Sequence, residues 1–496
     1  MLIALVALGA SYPLTDPDLP LHLLIGEWIA NHRTLPTVEP FAWTRAGEPY
    51  YAYSWLPELV FYAGERVGGA GVLRLIHGLL TAAAAWAIMR LGRVAGWPRG
   101  VILVMVAMHV AALGVAVPSL RPQAVLFITL PLAWSAMHGL LARPDCRRSL
   151  AVLLASSTLS AASHLFFPMT AVPLIGLWVG RSSVSTRMKA AAAVVAGWLV
   201  SPYSLAWPSV FALNFSSNGL LGRDSPIVEL RPGFSFADGL SLEMVFVTVV
   251  SAAVIWGVMT GPLSDRARVA ALALCVCGIA AFAYATRLMI VFWLLVAPIA
   301  GHVLMPALAR ESRMIAIRVV GTLAIILAIA SIVQPRHLRA WAAEGFNARS
   351  LAWPEDAYIQ PAIRQWACFA LVAKPDRVFT RLRDANMLAW HLRPHSMSID
   401  SRTIFPDSVT MNELAAGKRI AHPGPWRSAD AAILDLLDPL ASVLDTTSGW
   451  LAVPPAMSGY TGAMAANPGT PLLWLNTRQR DVDSLAERYA CAAGVE

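Results

Sequence analysis

Charged residues are scarce in this chain. Only 14% of its 496 residues are Asp, Glu, Lys or Arg, whereas about 25% is usual for a soluble domain. Hydrophobic residues make up 57%, and they recur in apolar runs of about 15 to 22 residues separated by short basic or Pro/Gly segments. These features exclude an ordinary soluble protein and predict a multi-pass membrane protein.

Cysteine is also rare, and the motifs of common metal and nucleotide sites are missing. The five cysteines form no Cys-x-x-Cys pair and no Cys/His pattern with metal-ligand spacing. No P-loop, G-x-G-x-x-G motif, HExxH motif or Ser-His-Asp order is present. Cys368 and Cys491 lie in the polar C-terminal third, where they would be able to form a disulfide in an oxidising compartment.

Eleven membrane helices are predicted from the apolar runs. The first run has no basic n-region and no A-x-A cleavage site, so we expect it to be retained in the mature chain. The predicted helices lie near residues 1–14, 71–90, 100–117, 123–142, 149–163, 165–180, 190–206, 241–261, 269–285, 288–308 and 316–334.

Basic residues occupy every second loop of this arrangement. By the positive-inside rule, these loops and the N-terminus are predicted to be cytoplasmic, with the C-terminal region on the outer face of the membrane. The formal net charge of +8 therefore reflects membrane orientation, and we expect no nucleic-acid partner. The basic loops are residues 90–99, 143–148, 181–189, 265–268 and 310–318.

The composition changes near Gln334, where charges become frequent and apolar runs shorten to strand length. We predict an α-helical transmembrane domain over 1–334 and a periplasmic α/β domain over 335–496, with a sheet that is parallel in part. Its predicted strands are residues 377–380, 396–399, 431–434, 451–454 and 472–475. Its predicted helices are residues 355–371, 383–391, 408–416 and 481–492.

The densest functional chemistry lies in the first external loop, residues 15–70. Asp16 and Asp18 follow the first apolar run directly, and His22 would face the same side of a helix that starts at Leu19. A carboxylate placed there is able to act as a general base. The alternative is structural, because Asp-Pro-Asp is also typical of a turn and a helix N-cap.

The first loop resembles that of bacterial GT-C-type glycosyltransferases. In that family a membrane helix precedes an acidic pair, an H-L-x-x-G-x-x-I stretch, an L-P pair and a W-L-x-E helix. The matching positions here are Asp16, Asp18, His22, Leu23, Gly26, Ile29, Leu35, Pro36, Trp55, Leu56 and Glu58. Shorter similarities follow at Ser119–Gln123, Ala162–Pro168, Ser201–Pro208, Ser225–Pro232, Ala285–Pro298 and Ser398–Pro406.

The resemblance implies an external active site that transfers a hexose or pentose from a polyprenyl-phosphate donor, with Asp16 or Asp18 as the base. The acceptor would be a glycan, lipid or protein. The metal-dependent oligosaccharyltransferase branch carries a second acidic motif in a later external loop. Residues 119–123 contain no carboxylate, so a divalent metal is an alternative that no second acidic motif supports, and we predict a metal-independent transferase without a cofactor.

Further residues are candidates for substrate binding, each with a structural alternative. Arginines near the outer face would grip the donor phosphate with their planar fork or extend to lipid headgroups. His164 would contact substrate or a neighbouring helix, the acids would bind acceptor or pair with an arginine, and the first-loop aromatics would stack on sugars or form an interfacial belt. The candidates are His22, Trp55, Glu58, Arg121, His164, Arg223, Glu229, Arg287 and Arg402.

Two other functions fit parts of the pattern. One is a non-catalytic GT-C-like scaffold or lipid-binding subunit that uses the same groove to bind lipid or a partner protein. The other is a transporter, which is less favoured because the sequence shows neither an inverted repeat nor a pair of broken helices.

Overall fold

The computed structural model describes residues 18–117, 119–215, 230–235 and 241–308, together with Leu14, Asp16 and short stretches between 377 and 476. The membrane helix predicted at 316–334 and nearly all of that predicted at 1–14 lie outside the described residues. Most of the loop at 207–240 also lies outside them. In the C-terminal region over 335–496, which we call the tail, the same holds for the helices predicted at 355–371, 408–416 and 481–492 and for Cys368 and Cys491.

The described part of the chain is mainly helical. The helices are α1 Leu19–His32, α2 Trp55–Val94, α3 Arg99–Ala116, α4 Leu126–Ala142, α5 Arg147–Ala161, α6 Leu174–Val179, α7 Val184–Leu199, α8 Trp207–Phe215, α9 Leu242–Thr260, α10 Asp265–Tyr284 and α11 Met289–Leu308. Short 3₁₀ turns lie at Trp43–Arg45, Pro122–Val125, Phe167–Ala171, Ser204–Ala206 and Thr286–Leu288.

Six of the described helical segments are long and apolar enough to cross a membrane. They coincide with six predicted spans, those near 71–90, 100–117, 123–142, 241–261, 269–285 and 288–308. The multi-pass prediction is therefore confirmed, whereas the total of eleven spans remains a prediction.

Three predicted spans differ from the structure. The segment at 149–163 is the 15-residue helix α5, which is short for a span of about 20 residues, and the segment at 165–180 is a short apolar helix over Phe167–Val179. The segment at 190–206 is a pair of helices bent by 97°. Its first helix ends at Leu199, just before Pro202, since proline cannot continue the helical hydrogen-bond ladder.

Helix starts and breaks follow local residue chemistry. Ser183, Ser241 and Ser264 each accept a hydrogen bond from the backbone N–H three residues later, which caps α7, α9 and α10. Helix α2 is interrupted at Gly68 and Gly69, where Gly69 has a φ of +56°. The break separates the part of α2 that lies in the predicted first loop from the part that overlaps the span predicted at 71–90.

Helices α1 and α2 pack against each other through Gly26. A Cβ atom at this position would lie 2.2 Å from the backbone oxygen of Glu58 and 2.7 Å from the Cβ of Tyr62. The absence of a side chain therefore permits close contact between the two helices. That contact places the W-L-x-E helix beside the face of α1 that carries His22.

Five short strands form one mixed sheet: β1 Arg377–Thr380, β2 Ser396–Met397, β3 Ala431–Asp435, β4 Trp450–Ala452 and β5 Pro471–Asn476. Their order is β2-β1-β3-β5-β4, with β1 parallel to β2 and β3, and β5 antiparallel to β3 and β4. Each strand overlaps a segment that hydropathy predicts to be a strand.

The first loop, predicted over residues 15–70, packs directly on this sheet. Ala42 forms a parallel bridge with Met397, and the Met397 amide donates to the Phe41 carbonyl at 3.2 Å. The Trp43 indole donates to the Val378 carbonyl at 3.2 Å. Buried apolar residues from α1, the loop and the sheet form one continuous cluster, so residues from the tail and from the first loop share a core.

We expect Gly26→Ala to lower the stability of the folded protein by about 1–3 kcal/mol, because an added methyl group must separate α1 from α2. Thermal unfolding in lipid nanodiscs measures the effect. Ala30→Gly, at an exposed position of the same helix, is the control and should cost about 1 kcal/mol or less through helix propensity alone. Equal unfolding midpoints for Gly26→Ala and the wild type would contradict this close contact.

Candidate active site

Asp16 and Arg121 form the buried centre of the site. The Arg121 guanidinium donates through Nε to Asp16 Oδ2 and through Nη2 to Asp16 Oδ1, the latter at 3.0 Å. Only 1% of the Asp16 side chain is exposed. Its Oδ1 also accepts the backbone N–H of Asp18 at 2.9 Å. Both carboxylate oxygens of Asp16 are therefore occupied, as expected for a buried charge.

Asp18 occupies the N-cap position of α1, but its side chain does not cap the helix. One oxygen pairs with Arg121 Nη2 at 3.0 Å, and the other accepts from the Asn386 amide at 3.3 Å. The Asp18 side chain is 24% exposed. The structure thus directs this carboxylate to Arg121 and Asn386 and leaves part of it accessible to a substrate.

His22 and Glu58 form a second polar pair beside the two aspartates. His22 Nδ1 lies 3.0 Å from Glu58 Oε1. If Glu58 is ionised, Nδ1 carries the proton and Nε2 presents a lone pair. Glu58 is buried, and its Oε2 atom has no hydrogen-bond partner among the described residues. The pairing makes Glu58 an orienting group for His22.

His164 lies in the turn between α5 and the Phe167–Ala171 segment, outside the candidate spans. Its Nδ1 accepts the Phe166 N–H at 3.2 Å, so the neutral ring carries its proton on Nε2. Burial, together with the smaller effects of the charges of Arg287, His22 and Arg121, lowers the pKa of His164 to about 3. These interactions place the four groups in one electrostatic environment.

Arg287 is a half-buried cation at the same end of the bundle. It lies in the Thr286–Leu288 turn before α11, and its guanidinium makes no hydrogen bond or ion pair with any residue that the structure describes. The neighbouring Thr286 donates from its backbone N–H and its hydroxyl to the Arg231 carbonyl, at 2.8 and 3.1 Å. This turn therefore presents an arginine with its hydrogen-bond donors available.

Tyr203 holds the first loop against the bundle. Its hydroxyl donates to the Pro36 carbonyl at 2.9 Å and accepts the Ala52 N–H at 3.0 Å. The Leu56 N–H at the start of α2 donates to the Ala162 carbonyl at 3.2 Å. Neighbouring Trp55 has a buried Nε1 atom without a hydrogen-bond partner in the described part of the chain. The loop is thus joined to two later turns of the membrane domain.

The structure brings together six of the predicted site residues and adds two that the sequence did not reveal. Asn386 and Tyr203 are the additions; Tyr203 lies in a family-like segment, whereas no local pattern points to Asn386. Arg223, Glu229 and Arg402 lie outside the described residues. The residues that the site brings together are Asp16, Asp18, His22, Glu58, Arg121 and His164. Arg287 lies at the same end of the bundle, where its charge acts on His164, and Trp55 lies at the start of the helix that carries Glu58.

No group of three or more His, Cys, Asp or Glu residues suited to a metal ion occurs in the described part of the chain. Arg121 provides positive charge to both aspartates. The aspartate pair is therefore neutralised in part by the chain itself.

We expect Arg121→Met to destabilise the protein by about 3–5 kcal/mol, because it leaves Asp16 as a buried carboxylate without its cation. Thermal unfolding in nanodiscs reports the loss. Arg66→Met, at an exposed arginine of α2, is the matched control. Adding Asp16→Asn to Arg121→Met should restore part of the stability, and equal effects of the two arginine changes would contradict the buried pair.

His164 should make stability depend on pH. Its folded-state pKa of about 3 lies below the ordinary value of 6.5, so the unfolded chain binds the extra proton. Its contribution is present above pH 6.5 and is lost as the pH falls towards 3, by at most about 1.4 kcal/mol per pH unit. Unfolding midpoints from pH 8 to pH 5 should therefore fall more in the wild type than in His164→Gln. The same change at exposed His32 should leave the wild-type slope unaltered.

No protein-family model and no curated protein sequence matches this chain. Solved structures do match. The cryo-EM structure of the arabinofuranosyltransferase AftD from Mycobacteria aligns with a TM-score of 0.57 and 16% identity, over 96% of this chain and 39% of that one. A structure of a variant of the same enzyme aligns with a TM-score of 0.53 and 15% identity, over 91% and 38%.

The chain spans about two fifths of the length of these neighbours. At this level of identity the likeness concerns the fold, and it covers nearly the whole chain. The chain therefore shares the fold of a GT-C glycosyltransferase, as the first-loop motif predicts.

Proposed function

We propose that this protein is a membrane glycosyltransferase that moves a sugar from a polyprenyl-phosphate donor to an acceptor hydroxyl at the outer face of a bacterial inner membrane. The observation that carries the proposal is the accessible carboxylate of Asp18, oriented by Arg121 at the end of the bundle where Arg287 presents its donors. The shared fold with a membrane arabinofuranosyltransferase supports the same reaction class.

The geometry favours Asp18 over Asp16 as the general base. Asp16 is enclosed, and both of its oxygens are bonded to Arg121, so taking a proton there would break a buried ion pair. Asp18 is 24% exposed. Asp16 then serves to hold Arg121, and Arg121 in turn holds Asp18.

The reaction follows from these positions. Asp18 accepts the proton of the acceptor hydroxyl as that oxygen attacks the anomeric carbon of the donor. The bond between the anomeric carbon and the phosphate oxygen breaks, and polyprenyl phosphate leaves with the bonding electrons. Arg287 is suited to bind that phosphate, because a guanidinium donates two parallel hydrogen bonds to an anion. No metal is required for this scheme.

The acceptor side of the site is proposed to include His22 and Glu58. His22 is 17% exposed and Glu58 only 4%, so the histidine meets the substrate and the glutamate orients it. An imidazole with its orientation fixed provides one hydrogen bond to a sugar or lipid hydroxyl. This pair would position the acceptor next to Asp18.

A non-catalytic scaffold is the second candidate, and one observation favours it. Arg121 bonds both oxygens of Asp16 and one oxygen of Asp18, so these acceptor atoms are already engaged by a cation of the chain itself. A protein that only binds lipid or a partner would retain such a pair for stability. The two candidates differ in whether Asp18 is needed for sugar transfer.

We expect Asp18→Asn to reduce sugar transfer by about 10²-fold or more, because the base is lost, and to lower the unfolding midpoint only slightly, because the partly exposed Asp18 loses one ion pair with Arg121. The assay uses the full chain in nanodiscs, polyprenyl-phosphate donors carrying arabinofuranose or a hexose, and arabinofuranose oligosaccharides as acceptors. Asp16→Asn should instead lower the unfolding midpoint.

Asp145→Asn is the matched control, because Asp145 is exposed and pairs with Lys189 away from the site. It should leave transfer unchanged. Full activity in Asp18→Asn would remove Asp18 as the base. A wild-type protein that binds these donors but transfers no sugar would favour the scaffold.

A further inference from the structure

Asp18 receives a hydrogen bond from the distant C-terminal region of the chain. The Asn386 side-chain amide donates to Asp18 Oδ1 at 3.3 Å across 368 positions of sequence. Asn386 is buried. A neutral amide at this place is able to orient the carboxylate without adding charge to a site that already contains Arg121.

The segment that carries Asn386 is held by apolar packing. Leu388, Ala389 and Trp390 lie two to four residues after it and are buried in the same cluster as α1. Leu388 is fully buried, which fixes the local backbone beside the first loop. The position of the amide is therefore set by the core as well as by its bond to Asp18.

The sheet attaches to the first loop at separate points. The Met397 amide donates to the Phe41 carbonyl, and the Trp43 indole donates to the Val378 carbonyl. The Arg377 guanidinium lies 5.9 Å from the centre of the Trp43 ring. These contacts join the tail to the first loop without Asn386. Attachment of the tail therefore does not explain the hydrogen bond from the Asn386 amide to Asp18.

We propose that Asn386 is a positioning residue that fixes the Asp18 carboxylate for proton transfer, so that the C-terminal region completes the active site. The proposal rests on the function proposed above. Arg121 bonds one oxygen of Asp18 from the membrane domain, and Asn386 bonds the other from the tail. Two donors on two oxygens define the plane of the carboxylate, which decides where its remaining lone pairs point.

Orientation of this kind affects rate more than binding. Misplacing a reacting group by about 1 Å lowers the reaction rate by roughly 10²-fold. Substrate contacts made elsewhere in the site are retained. Loss of the Asn386 amide should therefore lower kcat and leave the KM for the donor nearly unchanged. A defect in folding would instead reduce the amount of active protein without altering the properties of what remains.

The kinetic experiment compares Asn386→Leu, Asn386→Gln and Asp430→Asn in full-length protein in nanodiscs. Asn386→Leu removes the donor at similar volume and should lower kcat by roughly 10-fold to 100-fold, with donor KM within about twofold. Asn386→Gln retains an amide and should recover part of kcat. Asp430→Asn weakens the Arg377 contacts within the tail and should lower the unfolding midpoint while kcat per folded molecule is unchanged.

A second measurement does not require transfer. Coupling of Asp18 to an amine by a carbodiimide, quantified by peptide mass spectrometry, should rise roughly fivefold in Asn386→Leu, because one hydrogen bond to the carboxylate is lost. Asp430→Asn should label at the wild-type rate.

Each outcome decides one point. A rise in labelling together with the selective fall in kcat supports the positioning role. Unchanged labelling, or an equal fall in kcat for Asp430→Asn, overturns it. If the wild type transfers none of the donors, the proposed function fails, while the labelling result still shows whether Asn386 holds Asp18.

Discussion

The buried pair between Arg121 and Asp16 is the interaction on which the rest of the site depends. Bringing a carboxylate and a guanidinium out of water costs several kcal/mol each, so such a pair persists only where geometry and additional hydrogen bonds compensate. Here the additional bonds come from Asp18, whose N–H binds Asp16 and whose carboxylate binds Arg121. The stability of the pair and the orientation of Asp18 therefore depend on the same residue, Arg121, which lies at the start of the short turn before α4.

Close backbone contact has the corresponding role for the second pair. Helix α1 approaches α2 through Gly26, and this approach brings His22 within 3.0 Å of Glu58. Gly26 lies one helical turn after His22, on the same face of α1. The lack of a side chain at Gly26 therefore allows His22 and Glu58 to come within hydrogen-bond distance. The family-like spacing of the first loop has a physical explanation in this packing.

Hydropathy predicts the six helices that are long and apolar enough to cross a membrane and the five described strands, because long apolar runs favour membrane helices and short ones favour buried strands. At 149–163, 165–180 and 190–206 the described helices are shorter or bent, and average hydropathy does not register a serine-rich helix or the bend near Pro202. The acidic pair and Arg121 were identified individually as candidates. That Arg121 would bond both aspartates, and that Asn386 would reach Asp18, depends on tertiary packing between segments up to 368 positions apart, which no local pattern encodes.

The same packing explains why Asp16 and Asp18 differ in exposure, although both are aspartates and only two residues apart. Asp16 precedes α1 and lies under Arg121, where every oxygen is occupied. Asp18 lies two residues later, at the N-cap, where the helix places its side chain towards the surface and the tail. Enclosure suits Asp16 to a structural role, and partial exposure is what the proposed role of Asp18 as a base requires. In the proposed mechanism, the acidic pair thus combines a fixed charge that organises the site with a neighbouring carboxylate that is open to substrate.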